Sequence, residues 1–383
     1  MCAMTHRQRV LTAFSHKQPD SVPLDLGSTR VSSIVVEGYA PLLASFGLPG
    51  DSAPALCDRM MRVVRVDDRL LAALDIDARA IFLPSPVRTP TVDLGPQRYR
   101  DPWGVERVHV PGNYYFEQET YPLAGEITLG DLEKYPWPDP QDPGLGDGLR
   151  ERLAWIRQNT DCAAVLTLPA PFVHYSQYLR GFEDWYMDFH LNPGLLEALL
   201  DRVLEITMAW ARRELETVGA EVDVIICSDD LGAQRGLQVS REHFTRYLKP
   251  RLARFFRQVH ELSPAKLVLH SCGSVVSVID DLIEMGVDGL NPVQVTAAGM
   301  DPAQLKRKYR GRMLFWGAMD TQNILPRGSV RDVEQMVERR IEELGEGGGY
   351  ILAPCHNLQP DVPVDNIRAM YARAREYVPS YLK

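Results

Sequence analysis

Eight short apolar runs, each followed by a longer stretch with helical character, set the strongest limit on what this chain can fold into. The runs are VPLDL (22–26), ARAIFL (78–83), AAVLTL (163–168), VDVIIC (222–227), KLVLH (266–270), VDGLN (287–291), MLFWG (313–317) and YILAP (350–354). Several are apolar without alternation, as strands covered on both faces are. Strands that alternate with helices around a parallel sheet build an α/β fold. Eight such units in about 380 residues predict one (β/α)8 TIM barrel domain over 1–383.

The helical stretches carry the matching pattern. Leu195, Leu196, Leu199, Val203 and Ile206 recur at three- and four-residue spacing, as do Phe244, Tyr247, Leu248, Leu252, Phe255 and Val259. Ser329 stands three residues before Asp332, an approximate capping box, and that helix is expected to stop at the glycines 347–349. Those glycines precede a strand and follow a helix. That is the reverse of the order a phosphate cradle needs, so a helix stop is the expected reading. The alternation lapses between 84 and 150, where Pro and Gly are frequent and short alternating runs predict a β-rich insertion that caps the barrel mouth.

Bulk properties exclude several classes. A net charge of −9 with scattered Lys and Arg argues against a nucleic-acid surface. No apolar run approaches the roughly 18 residues that a membrane span requires. The first twenty residues lack a continuous apolar segment and a cleavage site, so the chain is expected in the cytoplasm. Six cysteines (Cys2, Cys57, Cys162, Cys227, Cys272 and Cys355) are far apart, which fits a reducing compartment.

A barrel of this type carries its chemistry just past the C-terminal ends of its strands. Reading those positions in order yields Arg30; His174 and Tyr175; Asp229 and Asp230; His270 and Cys272; Asn291 and Gln294; Asp320; and Cys355 with His356. His270 and Cys272 are two apart at a strand end, so their side chains point the same way. With Cys355 they form a set of soft ligands of the kind zinc accepts, three protein donors and one open position. The bland alternative is open too: Cys and His are common in cores. The two aspartates are read as catalytic or metal-orienting groups, and equally as helix caps. Gly273 is expected to let the chain turn sharply after the second ligand. Aromatics in GNYYFEQETY (112–121) and APFVHYSQYL (170–179) suit a flat or methylated substrate, and equally a packed cap.

The segments LHSCGSVVSVIDDLIEMGVDGLNPVQ, GMDPAQLKRKY, LFWGAMDTQNILPRGS and GGGYILAPCHNLQPDVPVDNI resemble the uroporphyrinogen decarboxylase superfamily, in particular its cobalamin-dependent methyltransferase branch, which includes methylcobamide:coenzyme M methyltransferases and relatives in methoxy-compound demethylation. The resemblance runs from about Thr5 to Tyr377 and is specific from about 222 onward. It implies a (β/α)8 barrel, and a zinc held by His270, Cys272 and Cys355. It also implies a corrinoid (methylcobalamin) carried on a partner protein, since this chain has no Asp-x-His-x-x-Gly segment. Asp229, Asp230 and His356 are then the catalytic candidates; Arg30, His174, Tyr175, Asn291, Gln294 and Asp320 are the candidates for binding the small-molecule methyl donor or acceptor. A homodimer is compatible with this reading.

Two other readings stand beside it. The superfamily's decarboxylases work without metal and hold a polycarboxylate with an N-terminal arginine cluster, where this chain offers only Arg30. In that case His356 and Asp230 would stabilise charge on a smaller acid. A non-catalytic binding barrel is the third, and it would not need soft ligands at strand ends.

Overall fold

The computed structural model describes residues 4–50 and 53–383; Cys2 lies outside the described residues. Seven parallel strands follow one another around a curled sheet in chain order: β1 (Ala78–Ile81), β2 (Ala163–Thr167), β3 (Val224–Ser228), β4 (Lys266–His270), β5 (Gly289–Val293), β6 (Leu314–Met319) and β7 (Tyr350–Pro354). They coincide with seven of the eight runs read from the sequence, and the architecture is the expected TIM-barrel type.

The run at 22–26 holds the eighth place, reduced to a single bridge. Leu24 pairs in parallel with Leu352, and Asp77 N–H donates to the Leu24 carbonyl at 3.0 Å, so the segment joins β7 to the residue before β1. A longer ladder is blocked locally. Pro23 has no N–H, and the Leu24 amide donates to the Asp77 carboxylate at 2.6 Å rather than to a strand.

Strand parity decides which residues face the barrel axis. Val224 and Ile226 of β3, Val268 of β4, Val165 of β2 and Trp316 of β6 pack together with Val10, Ala13 and Phe14 of the N-terminal helix, α1 (His6–Phe14). This helix plugs the end of the barrel where the strands begin. The alternate residues Ile225, Cys227, Leu267 and Leu269 face outward and join the main core beneath the outer helices. Asp77, fully buried beside the plug, accepts from Arg9 and Arg375 at 2.5 Å each, tying both chain ends to β1.

The outer helices bury the predicted stripes. Leu196, Leu199, Val203 and Ile206 lie inside on Pro193–Glu214. The helix ending at Leu262 is interrupted by a wider π turn at Phe244–Leu248 just before Pro250, whose missing N–H breaks the regular ladder there. Ser329 and Asp332 form the full reciprocal capping box at the start of Val330–Leu344.

Residues 84–150 contain an antiparallel meander of four strands (Val92–Gly95, Arg98–Arg100, Glu106–His109 and Phe116–Gln118). A second small ribbon, Leu56–Asp58 with Val63–Val64, joins it where Phe116 N–H donates to the Met60 carbonyl at 2.8 Å. The sequence carried no clear signal for this ribbon, because its strands are three and two residues long. The cysteines of the described residues are all free thiols. Among those residues no helix is long and apolar enough to cross a membrane.

Candidate functional site

The inward parity that builds the plug turns polar one step further along each strand. Thr167 follows Val165, Ser228 follows Ile226 and His270 follows Val268, and all three side chains line a cavity of about 440 Å³ at the C-terminal mouth. His270 is paired in register with Ser228 on one side and Asn291 on the other. Its Nδ1 lies 2.6 Å from the Asn291 side-chain oxygen. An oxygen can only accept, so the proton sits on Nδ1 and Nε2 keeps its lone pair. Burial pushes the His270 pKa down to about 4, so the ring is neutral at physiological pH.

That free nitrogen faces the Cys272 thiol, with Nε2 and Sγ 3.5 Å apart. A tetrahedral zinc with Zn–N near 2.0–2.1 Å and Zn–S near 2.3 Å spaces such a pair about 3.6 Å apart. The pair therefore fits the metal as it stands. Burial, then the negative charge of Asp230, raises the thiol well above its ordinary value, so the free protein holds it protonated until a cation arrives. Backbone anchors fix the turn. Cys272 N–H donates to Asp230 at 2.7 Å and Gly273 N–H to the Gln294 side-chain oxygen at 2.7 Å. Gly273 has φ +82°, and a Cβ there would meet the Gly232 and Ala233 backbone at 2.5 to 2.7 Å, as the sharp turn required.

The third soft side chain brought to the pair is His356. Donor atoms of His270, Cys272 and His356 all lie within 4.8 Å of one another. Cys355 is close by, but its thiol donates to the Val293 carbonyl at 3.1 Å.

Asp229 and Asp230 are neighbours in sequence with opposite tasks. Asp229 is fully buried and accepts the amides of Phe172, Val173 and His174 at 2.8 to 2.9 Å, capping the helix Val173–Arg180 from the neighbouring strand. That occupies it as a cap, and it does not line the cavity. Asp230 points the other way, into the cavity, 3.4 Å from His174 Nε2. Burial opposes ionisation of both partners, but their mutual hydrogen bond and charge outweigh it. Asp230 is held well below the usual carboxylate range and His174 is raised above its ordinary value.

The remaining walls are aromatic and paired. Tyr175 stacks on Trp103 with ring centres 4.4 Å apart, and Tyr178 lies 5.8 Å from His174 and beneath the Arg107 guanidinium. Arg30 faces Asp58 at 3.4 Å and Arg107 faces Asp101 at 3.0 Å. A second cavity of about 350 Å³ lies beyond, lined in part by Cys272, Gln294, Asp320 and Cys355. Tyr115 and His356 belong to both cavities and form the wall between them. Asp320 is occupied in part by the amides of Gln322 and Asn323 at 2.8 and 3.1 Å.

The structure thus gathers Arg30, His174, Tyr175, Asp230, His270 and His356 on one cavity, sets Asn291 behind His270, and places Gln294, Asp320 and Cys355 on the other. Sequence reasoning missed Asp58, Trp103, Asp101 and Arg107. They come from the small ribbon and the meander, outside the strand ends where the search was made. Tyr115 lay within an aromatic stretch already noted, with nothing to set it apart from Tyr114.

Comparison with known proteins identifies relatives of the chain. Residues 114–377 match the family model described as uroporphyrinogen decarboxylase (URO-D). A methylcobamide:CoM methyltransferase, MtaA, of Methanosarcina barkeri is 28% identical over 199 residues, 52% of this chain and 53% of that protein. A uroporphyrinogen decarboxylase of Thermus thermophilus is 30% identical over 179 residues, 45% of this chain and 47% of that one. The chain thus spans about half the length of the first curated relatives it matches. In structure, a methyltransferase from Methanosarcina mazei superposes with a TM-score of 0.68 at 20% identity over 97% of this chain and 99% of that one, a likeness of fold. The chain belongs to the uroporphyrinogen decarboxylase family.

Proposed function

We propose that the protein is a zinc-dependent methyltransferase that passes a methyl group between a small molecule (a thiol, folate or methoxy compound) and a corrinoid protein. The observation that carries this reading is the His270–Cys272 pair: a neutral imidazole with its lone pair free, 3.5 Å from a thiol, at the edge of a cavity of small-molecule size. The curated relatives named methylcobamide:CoM methyltransferase support the reaction class.

Zinc bound here would keep a thiolate nucleophilic at neutral pH, or polarise the oxygen that leaves with the electron pair of a C–O bond. The chain's own groups supply the rest. Asn291 fixes the His270 tautomer and ring. Asp230 anchors the Cys272 amide and keeps a proton on His174 at the cavity wall. The Trp103–Tyr175 stack, Tyr178 and Tyr115 exclude water and hold a flat or methyl-bearing group. The meander caps the mouth of this single domain, and the corrinoid arrives on its own carrier protein.

A metal-free decarboxylase is the alternative, and the cavity charges speak against a porphyrinogen. Arg30 and Arg107 are already opposed by Asp58 and Asp101, and Asp230 adds another negative charge. A polycarboxylate would meet no free cluster of guanidinium groups. Metal analysis of the purified protein separates the readings: about one zinc per chain is expected, lost in Cys272→Ala. A folded, metal-free protein that releases carbon dioxide from its substrate would overturn the zinc reading.

A further inference from the structure

The resemblance to cobalamin-dependent methyltransferases implies that the partner of His270 and Cys272 is the distant Cys355. The structure sets a different side chain beside the pair. His270, Cys272 and His356 present their donor atoms within 4.8 Å of one another, and Cys355 is not in that group. Two donors on one tetrahedral zinc stand about 3.3 to 3.8 Å apart, so the three need only a small adjustment to share an ion.

Both rival side chains are held in place. The Cys355 thiol donates to the Val293 carbonyl at the end of β5, 3.1 Å away, and recruiting it would break that bond. His356 already presents its donor atom to the pair. Its ring lies 5.9 Å from that of His270 at 61°, and the Tyr115 hydroxyl lies 3.4 Å from its Nδ1. Gln359, on the same loop, donates to that hydroxyl at 3.3 Å, so the orienting group is itself anchored.

We propose that the third protein donor of the metal centre is His356, giving two imidazoles and one thiolate, with Cys355 remaining a hydrogen-bonded thiol beside it. This rests on the zinc reading above and narrows it. The chemical consequence is charge. One thiolate leaves a divalent centre at +1, whereas two would leave it neutral. A +1 centre bordered by Asp230 attracts an anionic fourth partner, a thiolate, alkoxide or phenolate, more strongly than a neutral one. The substrate class this favours is one whose methyl-bearing atom becomes an anion when the methyl leaves.

The test is zinc-edge X-ray absorption on the zinc-loaded full-length chain, together with zinc titration of two variants. One sulfur per zinc is expected from the protein alone, and two would overturn the assignment. Cys355→Ser should keep about one zinc per chain with affinity within a few-fold of the parent. His356→Gln should bind zinc at least about 10-fold more weakly, since losing a ligand costs no less than losing an outer partner. The opposite pattern would overturn the assignment. Should His356→Gln fail to fold, the sulfur count and Cys355→Ser still decide. Two sulfurs would sink this assignment and leave the zinc reading standing; a folded chain that takes up no zinc would sink both.

Discussion

The two ends of the barrel are made from the same strands and obey opposite rules. Where the strands begin, Val165, Val224, Val268 and Trp316 meet Phe14 of the plug helix. The buried carboxylates there are neutralised within the protein, Asp77 by Arg9 and Arg375 and Asp223 by Arg7 and Arg157. At the other end, two residues on, the same inward positions are Thr167, Ser228 and His270, and the polar groups face a cavity. One end is built to be filled and the other to be left open. A substitution at the first should therefore cost stability and spare chemistry, and one at the second should do the reverse.

The sharpest break is at the open end. Cys272→Ala should abolish zinc binding and methyl transfer together while shifting apo-protein stability by less than about 1 kcal/mol, because the side chain is partly exposed at the cavity mouth and its closest polar contact is the 3.5 Å approach to His270 Nε2. Metal analysis and a denaturant titration on the same sample check both halves. At the closed end, Phe14→Ala should cost about 3–5 kcal/mol by leaving a cavity in the plug. Whatever fraction stays folded should keep the parental zinc content. A Phe14 variant that lost zinc while fully folded would show that the two ends are coupled.

Smaller effects refine the contrast. Asn291→Ala removes the acceptor that fixes the His270 tautomer and should weaken zinc binding about 10–100-fold, read by competition with a chelating dye. The smallest concerns pH. His174 has a raised folded pKa, so its pairing with Asp230 stabilises fully below the unfolded value near 6.5 and is lost as pH rises through the folded one. Asp230 is depressed, so its share is present above the unfolded value near 3.9 and fades as pH falls through the folded one. The pair should help most between about pH 4 and 6.5. Melting curves of His174→Gln should converge on the parent as pH rises toward 9; a constant gap would contradict the pairing.

The same contrast explains what could be read from the sequence. Strands β1 to β7 were legible because each is a short, largely apolar run bounded by a helix pattern, and His270, the last residue of β4, followed from parity. Beyond a strand's last residue, parity lapses and turn direction decides. Cys355 and His356 are adjacent just past β7, and nothing in APCHN reveals that the thiol turns to the Val293 carbonyl while the imidazole turns to Cys272. Asp229 and Asp230 show the same limit. One reaches outward to cap a helix and the other inward to the cavity, so the sequence flagged the pair without dividing its tasks. The run at 22–26 read as an ordinary strand because the Asp77 carboxylate that takes the Leu24 amide lies 53 residues away.

Methyl transfer measured on one preparation with and without its metal tests the centre most directly. With methylcobalamin and a small thiol as the pair, the zinc-loaded chain should move the methyl group to the thiolate, giving a methyl thioether and cob(I)alamin; with a methoxy compound and cob(I)alamin, it should give the demethylated alcohol or phenol and methylcobalamin. After chelation the transfer should stop, and added zinc should restore it. Turnover unchanged by chelation, or carbon dioxide as the product, would contradict a zinc-centred methyl transfer at His270 and Cys272.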